Sequence, residues 1–165
     1  MFNLLLIPAF VLAAPNPGIS GAMEVRPGTF VLNGPMTPAV IEAMKAARIT
    51  HVINLRQDGE SGFNAESESS AFSETGISYC RVVLGRTPSK DDFDLFRMVR
   101  KELPEGSRVL IHCSNGNRAA AATCAWMVLD ARMEAEEAIA VARLAGMVQP
   151  ETEKALRRYL AQAKA

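Results

Sequence analysis

Arg108-Val109-Leu110-Ile111-His112-Cys113-Ser114-Asn115-Gly116-Asn117-Arg118 runs directly into Ala119-Ala120-Ala121-Ala122-Thr123-Cys124-Ala125-Trp126-Met127-Val128-Leu129-Asp130. The first part is a short unbroken apolar run containing β-branched residues, the pattern of a strand buried on both faces. From Asn117 to about Asp130 the chain is rich in alanine and reads as a buried helix. A strand that opens through a glycine-containing loop into a helix is the joint from which α/β sheets are built. In such sheets ligands bind outside the carboxyl ends of the strands. The joint therefore predicts a fold class and the position of a site together.

Working outward, Thr29-Phe30-Val31-Leu32 is a strand candidate, and Thr37-Pro38 gives an N-cap followed by proline at the first helical position. That helix is predicted to run to about Arg48, with Val40, Ile41, Met44 and Ala47 on one face. His51-Val52-Ile53-Asn54-Leu55-Arg56 reads as a buried, parallel strand that opens into the polar turn Gln57-Asp58-Gly59-Glu60. A polar helix over 65–74, stopped by Gly76, and a strand over 77–84 come next. Ser89 caps a helix over 91–103 in which Phe93, Phe96, Met98 and Val99 are expected to face the core. Helices over 133–145 and 151–163, divided by Gly146 and Pro150, close the chain. The alternation predicts an α/β domain over 29–165, with a central sheet flanked by helices. Residues 15–28, rich in proline and glycine, are expected to be a lead-in linker.

The 165 residues are 48% hydrophobic and 22% charged, which suits a globular domain with a sizeable core. The 18 basic and 18 acidic residues cancel, so no broad basic field exists to hold nucleic acid or an anionic membrane. Affinity for an anion must come from a few placed groups. Three cysteines, Cys80, Cys113 and Cys124, are too few for a disulfide framework. The only histidines are His51 and His112, which excludes a His-rich metal site; no metal or cofactor is expected. Met1 to Ala14, MFNLLLIPAFVLAA, is too short to span a bilayer as a helix and fits the core of a secretory signal. It lacks a preceding Lys or Arg, and Pro8 interrupts it. The expectation is a periplasmic or secreted protein, with a cytoplasmic one as the alternative. Export would expose Cys113 to sulfenic acid formation or disulfide capture. Nothing in the chain specifies an oligomeric state.

The chemistry concentrates at the loop after His112. A helix start offers free N–H groups and the positive end of the dipole, and residues 114–118 could turn successive amides inward as an anion nest. Gly116 lets the backbone turn where a Cβ would clash. Arg118 adds a planar fork matched to phosphate or sulfate oxygens. Ser114, Asn115, Gly116, Asn117 and Arg118 are thus the expected phosphate-binding residues. The same field favours the thiolate form of Cys113, the nucleophilic one. His112 is expected to support the loop. Arg56 and Glu60 lie just past a strand end on the cleft side. In one reading Arg56 helps hold substrate or buttresses the loop and Glu60 pairs with it; in the other they are a surface ion pair of little worth. Asp58 reads as a turn residue at the same edge. His51, Cys80, Cys124, Trp126 and Met127 read as structural, and Arg157 and Arg158 as a solvated helix face.

The segment His112 to Arg118 resembles the active-site loop of the cysteine-dependent phosphatase superfamily. Residues 34–160 resemble the small bacterial phosphatase-like family, akin to the phosphatase-like domain of beta-lactamase-hydrolase-like proteins and to atypical dual-specificity phosphatases. Supporting matches are Val52-Ile53-Asn54-Leu55-Arg56 with Asp58 and Glu60, and Glu136-Glu137-Ala138 through Arg143-Leu144-Ala145-Gly146-Met147. The resemblance implies a three-layer phosphatase-like domain of the dual-specificity type with a mostly parallel sheet. It also implies hydrolysis of phosphate monoesters, on a protein phosphotyrosine or a small molecule, through a phosphocysteine intermediate. Cys113 and Arg118 would be the catalytic residues, with His112, Arg56, Asp58 and Glu60 in support. Three features depart from the family pattern: four residues rather than five separate Cys113 from Arg118, Ala119 stands where Ser or Thr is usual, and 84–88 holds no acid. Asp58, Glu60, Asp91 and Asp92 remain candidates for a proton donor. The short loop also resembles that of rhodanese-type sulfurtransferases, implying a Cys113 persulfide as the alternative. A non-catalytic phosphate-binding module is the third reading.

Overall fold

The computed structural model describes residues 18–163; the expected signal segment, 1–14, lies outside them. Five strands form one sheet: β1 (Ala22–Arg26), β2 (Thr29–Leu32), β3 (His51–Asn54), β4 (Ser78–Arg81) and β5 (Val109–His112). Six helices accompany them: α1 (Pro38–Ala46), α2 (Ala65–Phe72), α3 (Lys90–Lys101), α4 (Asn117–Leu129), α5 (Ala135–Leu144) and α6 (Pro150–Ala163). The strand order is β1-β2-β5-β3-β4, with β2, β5, β3 and β4 mutually parallel and β1 antiparallel at the edge. The architecture is the mostly parallel, helix-flanked α/β sheet expected from the alternation of elements.

Side-chain alternation along the strands divides the core into two layers, as a pleat of period two requires. Val109 and Ile111 of β5, Val31 of β2 and Ile53 of β3 face a layer completed by α3, α4, α5 and α6. Leu110, Phe30, Leu32 and Val52 face the other side, against Val40, Ile41 and Met44 of α1 and Phe72 of α2. Every residue of α4 except Trp126 and Leu129 is buried. Its alanines let the helix lie close to the sheet and to its helical neighbours, so a low-volume surface is what the position demands. Trp126 is half-buried under the Arg100 guanidinium, 4.3 Å from its ring.

Three expectations need correction. Residues 22–26, inside the expected lead-in, form β1. A two-residue Pro27-Gly28 turn, with Gly28 at φ 74°, folds it back on β2. The proline and glycine mark a hairpin there rather than a linker. Met98 is 56% exposed, because Phe93 and Phe96 already fill the core-facing stripe of α3. The strands at 51–56 and 77–84 are shorter than expected, and their trailing residues become the loops that build the cleft.

Candidate active site

Parallel strands send the loops after β3, β4 and β5 to one edge of the sheet, and these loops meet there. The β3–α2 loop contributes Arg56, Glu60 and Ser61; the β4–α3 loop contributes Arg86. The β5–α4 joint contributes Ser114, Asn115, Asn117 and Arg118. Gln149 reaches in from the corner between α5 and α6. Together they line a cleft of about 290 Å³. Every one of these side chains is polar or charged.

The joint itself is built by local backbone rules. Gly116 is in the left-handed conformation, φ 80°, as the residue that starts α4. An added Cβ there would lie 2.9 Å from the Asn33 Cβ and 3.2 Å from the Ala145 carbonyl oxygen, so glycine is required by both angle and space. No side chain caps α4. The amides of Ser114, Asn115 and Gly116 donate to no protein acceptor among the described residues. That leaves free donors at a helix start, where an anion is favoured. Asn117, at the edge of the cleft, is 2% exposed and its side chain bonds to the α5–α6 corner. Its Oδ1 accepts from the amides of Val148 and Gln149, both at 3.0 Å, and its Nδ2 donates to Thr152 Oγ1 at 2.6 Å. It fastens the α5–α6 corner, and with it Gln149, to the joint. Asn117 thus lines the cleft while its side chain is committed to that corner.

Arg118 is the best-anchored group. Its Nη1 and Nη2 donate to the two Glu60 carboxylate oxygens at 2.6 and 2.8 Å. Nη1 also reaches the carbonyls of Leu84 at 3.1 Å and Leu55 at 3.3 Å, and Nη2 the Ser114 hydroxyl at 3.4 Å. Burial disfavours the charge of Arg118, but the Glu60 carboxylate and the Cys113 sulfur beside it outweigh that and hold its pKa up. Burial likewise opposes ionisation of Glu60. The Arg118 hydrogen bonds, the Gln57 amide at 2.8 Å and Arg56 reverse the effect and hold its carboxyl at about 2. Arg56 is almost as enclosed: Nε donates to Glu60 Oε2 at 3.3 Å, Nη2 to the Ser61 carbonyl at 2.8 Å, and the guanidinium lies 4.7 Å from the Phe63 ring. The pair is thus not the exposed ion pair that was one reading of Arg56 and Glu60. Glu60 bridges two buried arginines.

Cys113 is 1% exposed, at the carboxyl end of β5. Its sulfur faces Arg118, and Asn115 Oδ1 is 4.0 Å away. The thiol lies in the core layer beside Arg118, adjoining the residues that line the cleft without lining it itself. His112 points away, into a buried polar cluster. Its Nε2 is 3.0 Å from a Glu68 carboxylate oxygen, out of line for a hydrogen bond. Asn54 Nδ2 donates to the same Glu68 oxygen and to the Tyr79 hydroxyl, each at 2.8 Å, and Asn54 Oδ1 accepts from the Arg56 amide at 2.8 Å. Burial resists ionisation of Glu68, but His112, Tyr79 and Arg56 keep its carboxyl below the usual range. This cluster holds the ends of β3 and β5 in register beneath the loop. Asp58 stands outside the cleft, 81% exposed and paired with Arg81 at 2.9 Å. Arg81 in turn donates to the Arg56 carbonyl at 3.1 Å.

Arg86, Ser61 and Gln149 line the cleft without having been singled out in the sequence. For Arg86 and Ser61 the available signal was position, just past the carboxyl end of a parallel strand. Gln149 carried none, because its place depends on how Asn117 draws in the α5–α6 corner. Among the described residues no cluster of His, Cys, Asp or Glu could hold a metal ion. No helix among them is long and apolar enough to cross a membrane.

No family model matches the sequence, and neither does any curated protein. Solved structures do. A DUF442 phosphatase candidate from Shewanella putrefaciens CN-32 is 20% identical, with 88% of this chain and 94% of that one covered at a TM-score of 0.70. The human tyrosine phosphatase-like serine/threonine/tyrosine-interacting protein is 22% identical over 87% of this chain and 98% of that one, TM-score 0.66. Tk-PTP in its active form is 19% identical over 85% and 96%, TM-score 0.65. The chain has the fold of the tyrosine-phosphatase-like cysteine phosphatases.

Proposed function

We propose that this protein is a phosphoric monoester hydrolase of the cysteine-dependent type, working through a phosphocysteine intermediate. One observation carries the reading: the Cys113 sulfur lies beside a guanidinium whose orientation is over-determined by Glu60 and two backbone carbonyls, under free amides at a helix start. A tetrahedral phosphoryl group seated on the loop would meet the amides of Ser114 to Gly116 and the part of Arg118 that lines the cleft, with the Cys113 sulfur beside it. The thiolate attacks phosphorus, the leaving oxygen departs, and water then cleaves the S–P bond to free phosphate and regenerate the thiolate. Because Arg118 is held before substrate arrives, its charge needs no reorganisation as negative charge builds on the phosphoryl oxygens. The shared fold supports the same reading.

The test is turnover of p-nitrophenyl phosphate by the purified protein beside sulfur transfer from thiosulfate to cyanide. Phosphatase activity that disappears in Cys113→Ser is the expected result. Sulfur transfer without phosphate release would replace the proposal with a persulfide reaction. Tight phosphate binding with neither activity would leave a binding module.

A further inference from the structure

The cleft is unusual in what it lacks and in what replaces it. Among the described residues its only carboxylate is Glu60, whose two oxygens are both occupied by Arg118 and which is ionised down to about pH 2, so it has no proton to give. The neighbouring acids are engaged elsewhere. Asp92 caps α3, accepting from the Ser89 amide at 2.8 Å and the Gly85 amide at 3.4 Å. Asp58 pairs with Arg81, and Asp91 lies on the exposed side of α3, outside the lining. The β4–α3 loop instead presents Arg86, which enters no ion pair among the described residues. Three arginines, two from loops and one from the first turn of α4, therefore face one small cleft, with no apolar side chain among the described lining residues to receive a ring or an acyl chain.

Resting on the phosphatase reading above, we propose that the same site also cleaves phosphoanhydrides, in preference to alkyl monoesters, and that Arg86, backed by Arg56, receives the leaving phosphate. An alkoxide must be protonated as it leaves, and a proton donor is worth ~10²–10⁴ in rate. A phosphate is already stable as an anion and needs only cations to receive it. In the first step the Cys113 thiolate forms an S–P bond to the terminal phosphorus. The P–O bond to the bridging oxygen breaks, and its electron pair leaves as a terminal oxygen of the departing phosphate. No proton moves. In the second step water forms a new O–P bond, the S–P electron pair returns to sulfur, and both protons of the water leave with the product as dihydrogen phosphate, which then equilibrates with solvent.

The experiment compares kcat/KM for inorganic pyrophosphate and ADP, p-nitrophenyl phosphate, and glycerol phosphate, in the wild type and Arg86→Gln. Arg86 is exposed on a loop, and circular dichroism checks that the variant folds. Expected is a preference for the anhydrides over glycerol phosphate of at least ~10²-fold. Arg86→Gln should lower anhydride turnover by about 10- to 100-fold, as for loss of a charge-assisted contact, and narrow the anhydride-to-aryl ratio. Glycerol phosphate turned over as fast as the anhydrides overturns the inference, and so does an equal loss on every substrate in Arg86→Gln. A loss of ~10²-fold or more in Asp91→Asn would reveal a donor and overturn it as well. If p-nitrophenyl phosphate is turned over in a Cys113-dependent way but anhydrides are not preferred, only this inference fails. If no phosphate compound is turned over, the phosphatase reading fails with it.

Discussion

Arg118 and Glu60 are 58 residues apart in the chain and joined by two hydrogen bonds in a site where both are nearly enclosed. Removing one partner of a buried pair strands the other charge, which costs about 3–5 kcal/mol. Glu60→Gln should therefore lower unfolding stability by about that amount in a urea titration, and turnover should fall because Arg118 loses its clamp. The pH dependence follows from the carboxyl being depressed in the folded state. Its stabilisation is fully present above its ordinary value of 4.5 and is lost as pH falls toward about 2. The difference between wild type and Glu60→Gln should shrink across that window; a constant gap would contradict the pairing. At the same scale, Cys113→Ser should abolish turnover yet keep affinity for inorganic phosphate by calorimetry, because amides and guanidinium remain. Full activity in that variant would remove Cys113 from the reaction. The sequence placed Glu60 near Arg56 by simple adjacency. Its stronger bond to Arg118 depends on the alignment of β3 beside β5, which local spacing does not encode.

At the scale of elements, the β5–α4 joint is where strand, turn and helix rules agree. The unbroken apolar run could only be an interior strand, and the alanine-rich segment could only be a helix pressed against it. Gly116 is the point of least tolerance. Gly116→Ala combines a left-handed backbone with a contact to Asn33 that real Cβ atoms do not make, and should cost about 1–3 kcal/mol from the backbone conformation alone. Turnover should fall with it, and a thermal melt and an aryl phosphate assay together check both effects. β1 was illegible for a related reason. Pro27 and Gly28 mark a tight turn as readily as a linker, and only the partner strand decides between them. The Asn117 side-chain contacts were not legible, because its bond to Thr152 and the α5–α6 corner joins segments 35 residues apart. Asn117→Ala should free that corner, seen as faster amide hydrogen exchange at Val148 and Gln149.

Over the whole molecule, net neutrality hides a concentrated field. The 18 basic and 18 acidic residues cancel, yet three arginines and one carboxylate share the cleft. Composition could exclude a broad anion-binding surface but could not locate this one, because Arg56, Arg86 and Arg118 follow three different strands gathered by a parallel sheet. The α/β class with a central sheet and the place of a cleft at the strands' carboxyl edge were legible from alternation and from the joint at 108–118. The polar lining was not. The central claim is that the Cys113 sulfur bonds covalently to a transferred phosphoryl group. The most direct measurement is rapid quench of the wild-type protein during turnover of p-nitrophenyl phosphate, followed by mass spectrometry of the Cys113 peptide. The account predicts a mass gain of one phosphoryl group on that cysteine, appearing before steady state and lost with time. Turnover with Cys113 unmodified throughout, or a gain of a single sulfur atom, would contradict it.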